Sequence, residues 1–139
     1  MRPWDPSIAA TAGHAFAVLA TYRERGATEQ GAPWVATELR DDPDGVTSLE
    51  DAAAIDVATR RLTAALSQLR HAAALDPTNP GVLLALGDVD LQKGLLTSAE
   101  QVLEKAAQFA PSDTAVRQAL ARARRCDTSR VTQRGSCGA

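Results

Sequence analysis

The sequence predicts an all-α chain of antiparallel helix hairpins. Pro43, Pro77 and Pro111 stand 34 residues apart, and other residues return at that interval, which is the length of a helix-turn-helix unit. Leu49, Ala52, Ala53, Val57, Leu62, Leu66, Leu69 and Ala73 follow helical spacing. Aromatic residues make up only 4% of the chain and alanine about a fifth, which favours helices packed closely through small side chains.

At the start of the chain, Asp5-Pro6 can open a helix, because aspartate caps free amides and proline at the first helical position gives up no needed donor. Ile8, Ala12, Phe16 and Leu19 then mark one face, and Gly26 is the natural stop. Pro33 would remove a hydrogen bond inside a following helix, at a cost of roughly 3 kcal/mol, so at most a short helix beginning near Pro33 is expected. Asp41-Asp42-Pro43-Asp44-Gly45 reads as a turn.

Thr47 with Glu50 has the form of a capping box. The repeat register calls for a turn near Arg60-Arg61, yet no glycine or proline stands there. Local propensity slightly favours one helix from about Ser48 to Leu75 over a hairpin. Further on the signals are sharper. Asn79 caps, Pro80 opens, Lys93-Gly94 closes, and Thr97 with Glu100 forms a second capping box before Ala110-Pro111 ends the unit. Ser112 or Asp113 can cap a last helix running to about Arg125, with Val116, Ala119, Leu120 and Ala123 facing inward. Residues 1–126 are thus expected to form one helical domain, followed by a disordered basic tail over 127–139.

The net charge of −2 conceals an uneven distribution. Residues 117–139 hold six arginines against Asp127 alone, giving +5, so the remainder carries −7. A basic arm follows an acidic body. Cys126 and Cys137, the only cysteines, both lie in that arm, so no disulfide framework is expected and a cytoplasmic location is favoured. The first residues lack the form of a secretory signal. No stretch approaches the roughly 20 apolar residues that span a bilayer.

Residues return in matched runs across the interval. Leu69-Arg70-His71-Ala72-Ala73 is echoed by Leu103-Glu104-Lys105-Ala106-Ala107, Thr63-Ala64-Ala65 by Thr97-Ser98-Ala99, and Ala85 by Ala119. With Leu86, Gly87, Ala99, Ala106 and Pro111 on the small or turn-forming positions, residues 80–113 resemble a tetratricopeptide repeat. Leu83 and Leu103 stand where that family has large aromatics, and Asp90 where it has a tyrosine. Tyr22 and Gly26 match Asp90 and Gly94 in register, so residues 12–45 and 46–79 resemble degenerate repeats, with 114–126 as a capping helix. The resemblance implies an α-α superhelix whose first helices line a concave, protein-binding groove. It places Glu50, Asp51, Leu84, Asp88 and Leu91 there, making the groove partly acidic and suited to a basic or amphipathic segment. Leu84 and Ala85 occupy the region where some members carry a lysine and asparagine clamp for a terminal carboxylate, which argues against that mode of binding.

Catalysis finds little support. His14 and His71 lie on different helices with no serine or cysteine nucleophile at a recognisable spacing. The cysteines have no paired histidines for zinc, so neither metal nor cofactor is expected. Arg124 and Arg125 suit the negative end of a helix; with Arg130 and Arg134 they also form an arm that could dock on an acidic protein. Nucleic acid is disfavoured by the acidic body and the lack of interleaved aromatics. Cys137 near the chain end is a candidate modification site. The sequence therefore points to a noncatalytic adaptor that binds a peptide or helix of another protein, with a carrier polypeptide modified at its tail as the alternative. Self-association stays open.

Overall fold

The computed structural model describes His14 and residues 26–132, with Ala27 and the last six as backbone only. Residues 1–13, 15–25 and 133–139, with the expected Asp5-Pro6 helix start, the face of Ile8, Ala12, Phe16 and Leu19, Arg134 and Cys137, lie outside the described residues. Those described form helices α1 (Ala27–Asp41), α2 (Val46–Ala58), α3 (Leu62–Leu75), α4 (Pro80–Gln92), α5 (Leu96–Phe109) and α6 (Thr114–Thr132). They fall into two compact units, divided between Leu75 and Asp76.

In the first unit α1 packs on α2 and α2 on α3. Pro33 lies inside α1, so the expectation of only a short helix from Pro33 is corrected. The proline faces solvent, while Val35 is buried with Ala52 and Ile55 of α2, and Ala32 and Leu39 pack beside them. That burial on the opposite face offsets the missing hydrogen bond.

The region over 48–75 is a hairpin, not the single helix that local propensity favoured. Helix α2 ends with Arg60 at φ 64°, and Arg60 N and Arg61 N donate to Val57 O at 3.0 Å and Asp56 O at 2.7 Å. These are the two bonds of a Schellman motif. The end of α4 is its copy 34 residues on: Gly94 has φ 75°, and Gly94 N and Leu95 N donate to Leu91 O at 3.0 Å and Asp90 O at 2.8 Å. The same backbone turn forms with arginine in the position that usually takes glycine, because stacking of α3 on α2 and two hydrogen bonds outweigh a left-handed cost of about 1–2 kcal/mol.

In the second unit α5 packs on α4, and α6 on both. Asn79 Oδ1 accepts from Gly81 N at 3.0 Å and Val82 N at 3.3 Å, with Pro80 at the first helical position. Asp113 caps α6 in the same way, accepting from Ala115 N at 2.8 Å and Val116 N at 3.3 Å. The two expected capping boxes do not form. Helices α2 and α5 start at Val46 and Leu96 after Gly45 and Leu95, neither with a side-chain cap, so Thr47 and Thr97 already lie within the first turn. Val116, Ala119 and Ala123 are fully buried, and Leu120 packs against the cluster of Leu91, Leu96, Ala99, Leu103, Ala119 and Ala123. Helix α6 continues to Thr132, past the end expected near Arg125.

Candidate functional site

Helices α1 and α2 bring together a buried polar cluster in the first unit. Glu38 is 7% exposed, Ser48 4% and Asp51 5%. Ser48 Oγ donates to Glu38 Oε1 at 3.1 Å. The second oxygen of that carboxylate, Oε2, is buried with no hydrogen-bond partner. Asp51 is met by His14, whose Nδ1 lies 3.0 Å from Oδ1 and 3.2 Å from Oδ2. Burial pushes the Glu38 carboxyl above its ordinary range, and the charge of Asp51 pushes the same way, against the Ser48 hydrogen bond. Burial likewise raises Asp51, partly opposed by its hydrogen bond to His14. Two buried carboxyls that act on one another in this way repel, and a cation beside them is favoured.

Two further buried carboxylates sit at matching points of the repeat. Asp56 and Asp90 are 5% and 1% exposed, 34 residues apart, each one turn before the end of its helix, where the helix dipole disfavours negative charge. Asp56 is held by Arg61 Nη2 at 2.6 Å. Asp90 Oδ2 accepts from Ser98 Oγ at 2.6 Å, and its Oδ1 is buried without a partner. These groups act within their hairpins, tying each helix end to the start of the next.

The residues expected to line a groove are distributed as follows. Glu50 is half-buried on α2, and its neighbour Asp51 belongs to the buried cluster, not to an open surface. On α4, Leu91 is buried in the helical core, while Leu84 is half-buried against the core clusters. Asp88, half-buried, receives Arg122 Nη2 of α6 at 2.9 Å; burial raises its carboxyl, against the pull of Arg122. Of the basic arm, Arg124 pairs with Glu104 at 3.1 Å and Glu100 at 3.4 Å, Arg125 is exposed, and Arg130 lies on the backbone of α6. Cys126 is buried and disulfide-bonded. His71 Nε2 meets Asp44 Oδ1 at 2.8 Å on the surface. Among the described residues no three histidine, cysteine or carboxylate side chains group to hold a metal ion, and no helix is long and apolar enough to cross a membrane.

Sequence reasoning passed over Glu38, Ser48 and Asp56. For Asp56 the signal was present, since it stands one repeat from Asp90.

Residues 57–123 match the sequence profile described as tetratricopeptide repeat. This segment is tetratricopeptide repeat. The match takes in the whole of 80–113 and leaves 12–45 outside. No curated protein matches the chain. The fold agrees with two solved human tetratricopeptide repeat domains of RPAP3. Its first such domain superposes with a TM-score of 0.78 at 15% identity, covering 91% of this chain and 98% of that one. The second, determined in complex with the HSP70 peptide SGPTIEEVD, gives 0.71 at 15% identity, covering 86% and 98%. At that identity the likeness is one of fold, and the fold is an all-α helical repeat.

Proposed function

We propose that this tetratricopeptide repeat chain is a noncatalytic adaptor that binds a basic or amphipathic peptide or helix of a partner protein. The observation carrying this reading is that each first helix bears carboxylates: Glu50 and Asp88, half-buried on α2 and α4, with Asp51 buried beside Glu50. A relative in fold was determined with a peptide bound, which supports peptide binding as the mode. That peptide is acidic, whereas the carboxylates here suit the opposite charge, and Leu84 and Ala85 leave no cationic clamp in their part of α4. The sequence favours a cytoplasmic location, and fractionation of the native host tests it.

The test is affinity capture of partners, followed by anisotropy titration of labelled basic, neutral and acidic helical peptides. Basic peptides should bind, with affinity falling as salt rises and falling again in Glu50→Lys. Asp51 is too deeply buried for charge reversal, so Asp51→Asn is the matching variant. If binding instead survives these changes and is lost when Arg124, Arg125, Arg130 and Arg134 become glutamine, the basic arm is the binding site and the acidic faces are not.

A further inference from the structure

The cluster of Glu38, Ser48, Asp51 and His14 is short of hydrogen-bond donors. It contains two carboxylates more than nine-tenths buried, contributed by different helices. Of their four oxygens, Glu38 Oε1 has the Ser48 hydroxyl, both Asp51 oxygens share one imidazole nitrogen, and Glu38 Oε2 has nothing. The charged groups that act on Glu38 are Asp51 and Asp42, both negative, and His14; His14 alone opposes the effect of burial on Asp51. His14 is also the most easily moved member, because its side chain is 57% exposed and comes from 37 residues earlier in the chain.

We propose that Glu38 and Asp51 form a receptor for an arginine side chain of the partner protein, which takes the place that His14 holds on Asp51. The inference rests on the adaptor reading above and names the side chain that such a partner would present. A guanidinium has five N–H donors in one plane, enough to serve Asp51 and the vacant Glu38 Oε2 together. It is also more weakly hydrated than an ammonium, so it enters a buried acidic site at lower desolvation cost than lysine. Imidazole offers Asp51 one donor from the ring nitrogen that faces it, and is outcompeted once the larger cation arrives. Because burial strengthens each charge-assisted bond, the site should distinguish arginine sharply from an uncharged side chain of the same shape.

The experiment titrates the full chain with N-acetylarginine amide and, separately, N-acetylcitrulline amide, reading the carboxyl carbons of Glu38 and Asp51 and the ring signals of His14 by NMR. Arginine amide should shift all three saturably and citrulline amide should not. Glu38→Gln and Asp51→Asn should each weaken arginine about tenfold or more, as loss of a charged hydrogen bond does. His14→Gln should tighten it by removing the competitor. Equal response to the two ligands, no saturable shift, or weaker binding in His14→Gln overturns the proposal, and the ligand comparison on the unaltered chain holds even if a variant fails to fold. If a captured partner peptide binds equally well with its arginines replaced by citrulline, the arginine site fails while the adaptor reading stands. If arginine amide saturates but no partner peptide binds, the adaptor reading fails instead.

Discussion

Gly87 of α4 lies against the side chain of Leu103 of α5 so closely that a β-carbon placed on it would stand 2.5 Å from Leu103 Cγ and 2.6 Å from Cδ2. Leu103 is fully buried. The missing side chain therefore sets how near the two helices approach, with the Leu103 side chain filling the room beside it.

Gly87→Ala should lower stability by about 1–3 kcal/mol, the usual cost of overpacking a filled core, and Gly87→Leu by more. Thermal denaturation followed by circular dichroism checks both. Leu103→Ala alone should also destabilise, through the cavity it leaves. Combined with Gly87→Ala, however, the two losses should sum to less than their separate effects, because the new methyl enters the vacated space. Strict additivity would show that the two positions do not meet.

The turn between α2 and α3 yields a prediction of opposite sign. Arg60 holds φ 64° where the next repeat has Gly94, and its side chain is exposed. Arg60→Gly should raise stability by about 1 kcal/mol, since glycine accepts the left-handed backbone of a Schellman motif without a β-carbon clash. Gly94→Arg should produce a loss of similar size. A chemical denaturation midpoint that does not rise in Arg60→Gly would show that the arginine side chain contributes more than its backbone costs.

These two positions also mark what the sequence could and could not disclose. The α4–α5 hairpin was readable because Asn79, Pro80, Gly94 and the 34-residue recurrence all act locally, through caps and φ angles. At Arg60 local propensity pointed to a continuous helix, and tertiary stacking overrode it. Pro33 was misjudged for the same reason: the rule counts the lost hydrogen bond and cannot see Val35 and Leu39 packing on the other face. The polar cluster was hidden more deeply. His14 and Asp51 are 37 residues apart, so no spacing rule joins them. Asp51, taken as a surface groove residue, is 5% exposed, which its place on the helix wheel did not disclose.

Ser98 offers a test of the buried aspartate at the α4 end. Its hydroxyl donates to Asp90 Oδ2 at 2.6 Å, and Oδ1 already lacks a partner. Ser98→Ala should leave the carboxylate unsatisfied and lower stability by about 1–3 kcal/mol. The double variant Ser98→Ala with Asp90→Leu, which removes donor and acceptor together, should recover part of that loss, since paired apolar replacements are often tolerated. Urea unfolding of the three proteins decides this; equal stability of Ser98→Ala and the unaltered chain would mean that the hydroxyl is dispensable to Asp90.

The last prediction concerns pH and the Glu38 carboxyl. Burial and the charge of Asp51 raise its folded-state value above the ordinary carboxylate range, so at a given pH near that range the folded protein binds more protons than the unfolded chain. Stability contributed by the protonated carboxyl is complete below the unfolded value and is lost as pH rises through the folded one. Glu38→Gln keeps an oxygen to accept the Ser48 hydroxyl and removes the ionisation. The variant should therefore be more stable than the unaltered chain at about pH 7, where unperturbed carboxylates are charged, and close to it at about pH 4. Asp51, raised by burial as well, remains in the variant, so a shallower decline with pH should persist. Urea midpoints across that interval provide the measurement. A variant less stable at neutral pH, with no change in pH slope, would show that the Glu38 charge is stabilised by its surroundings rather than opposed by them.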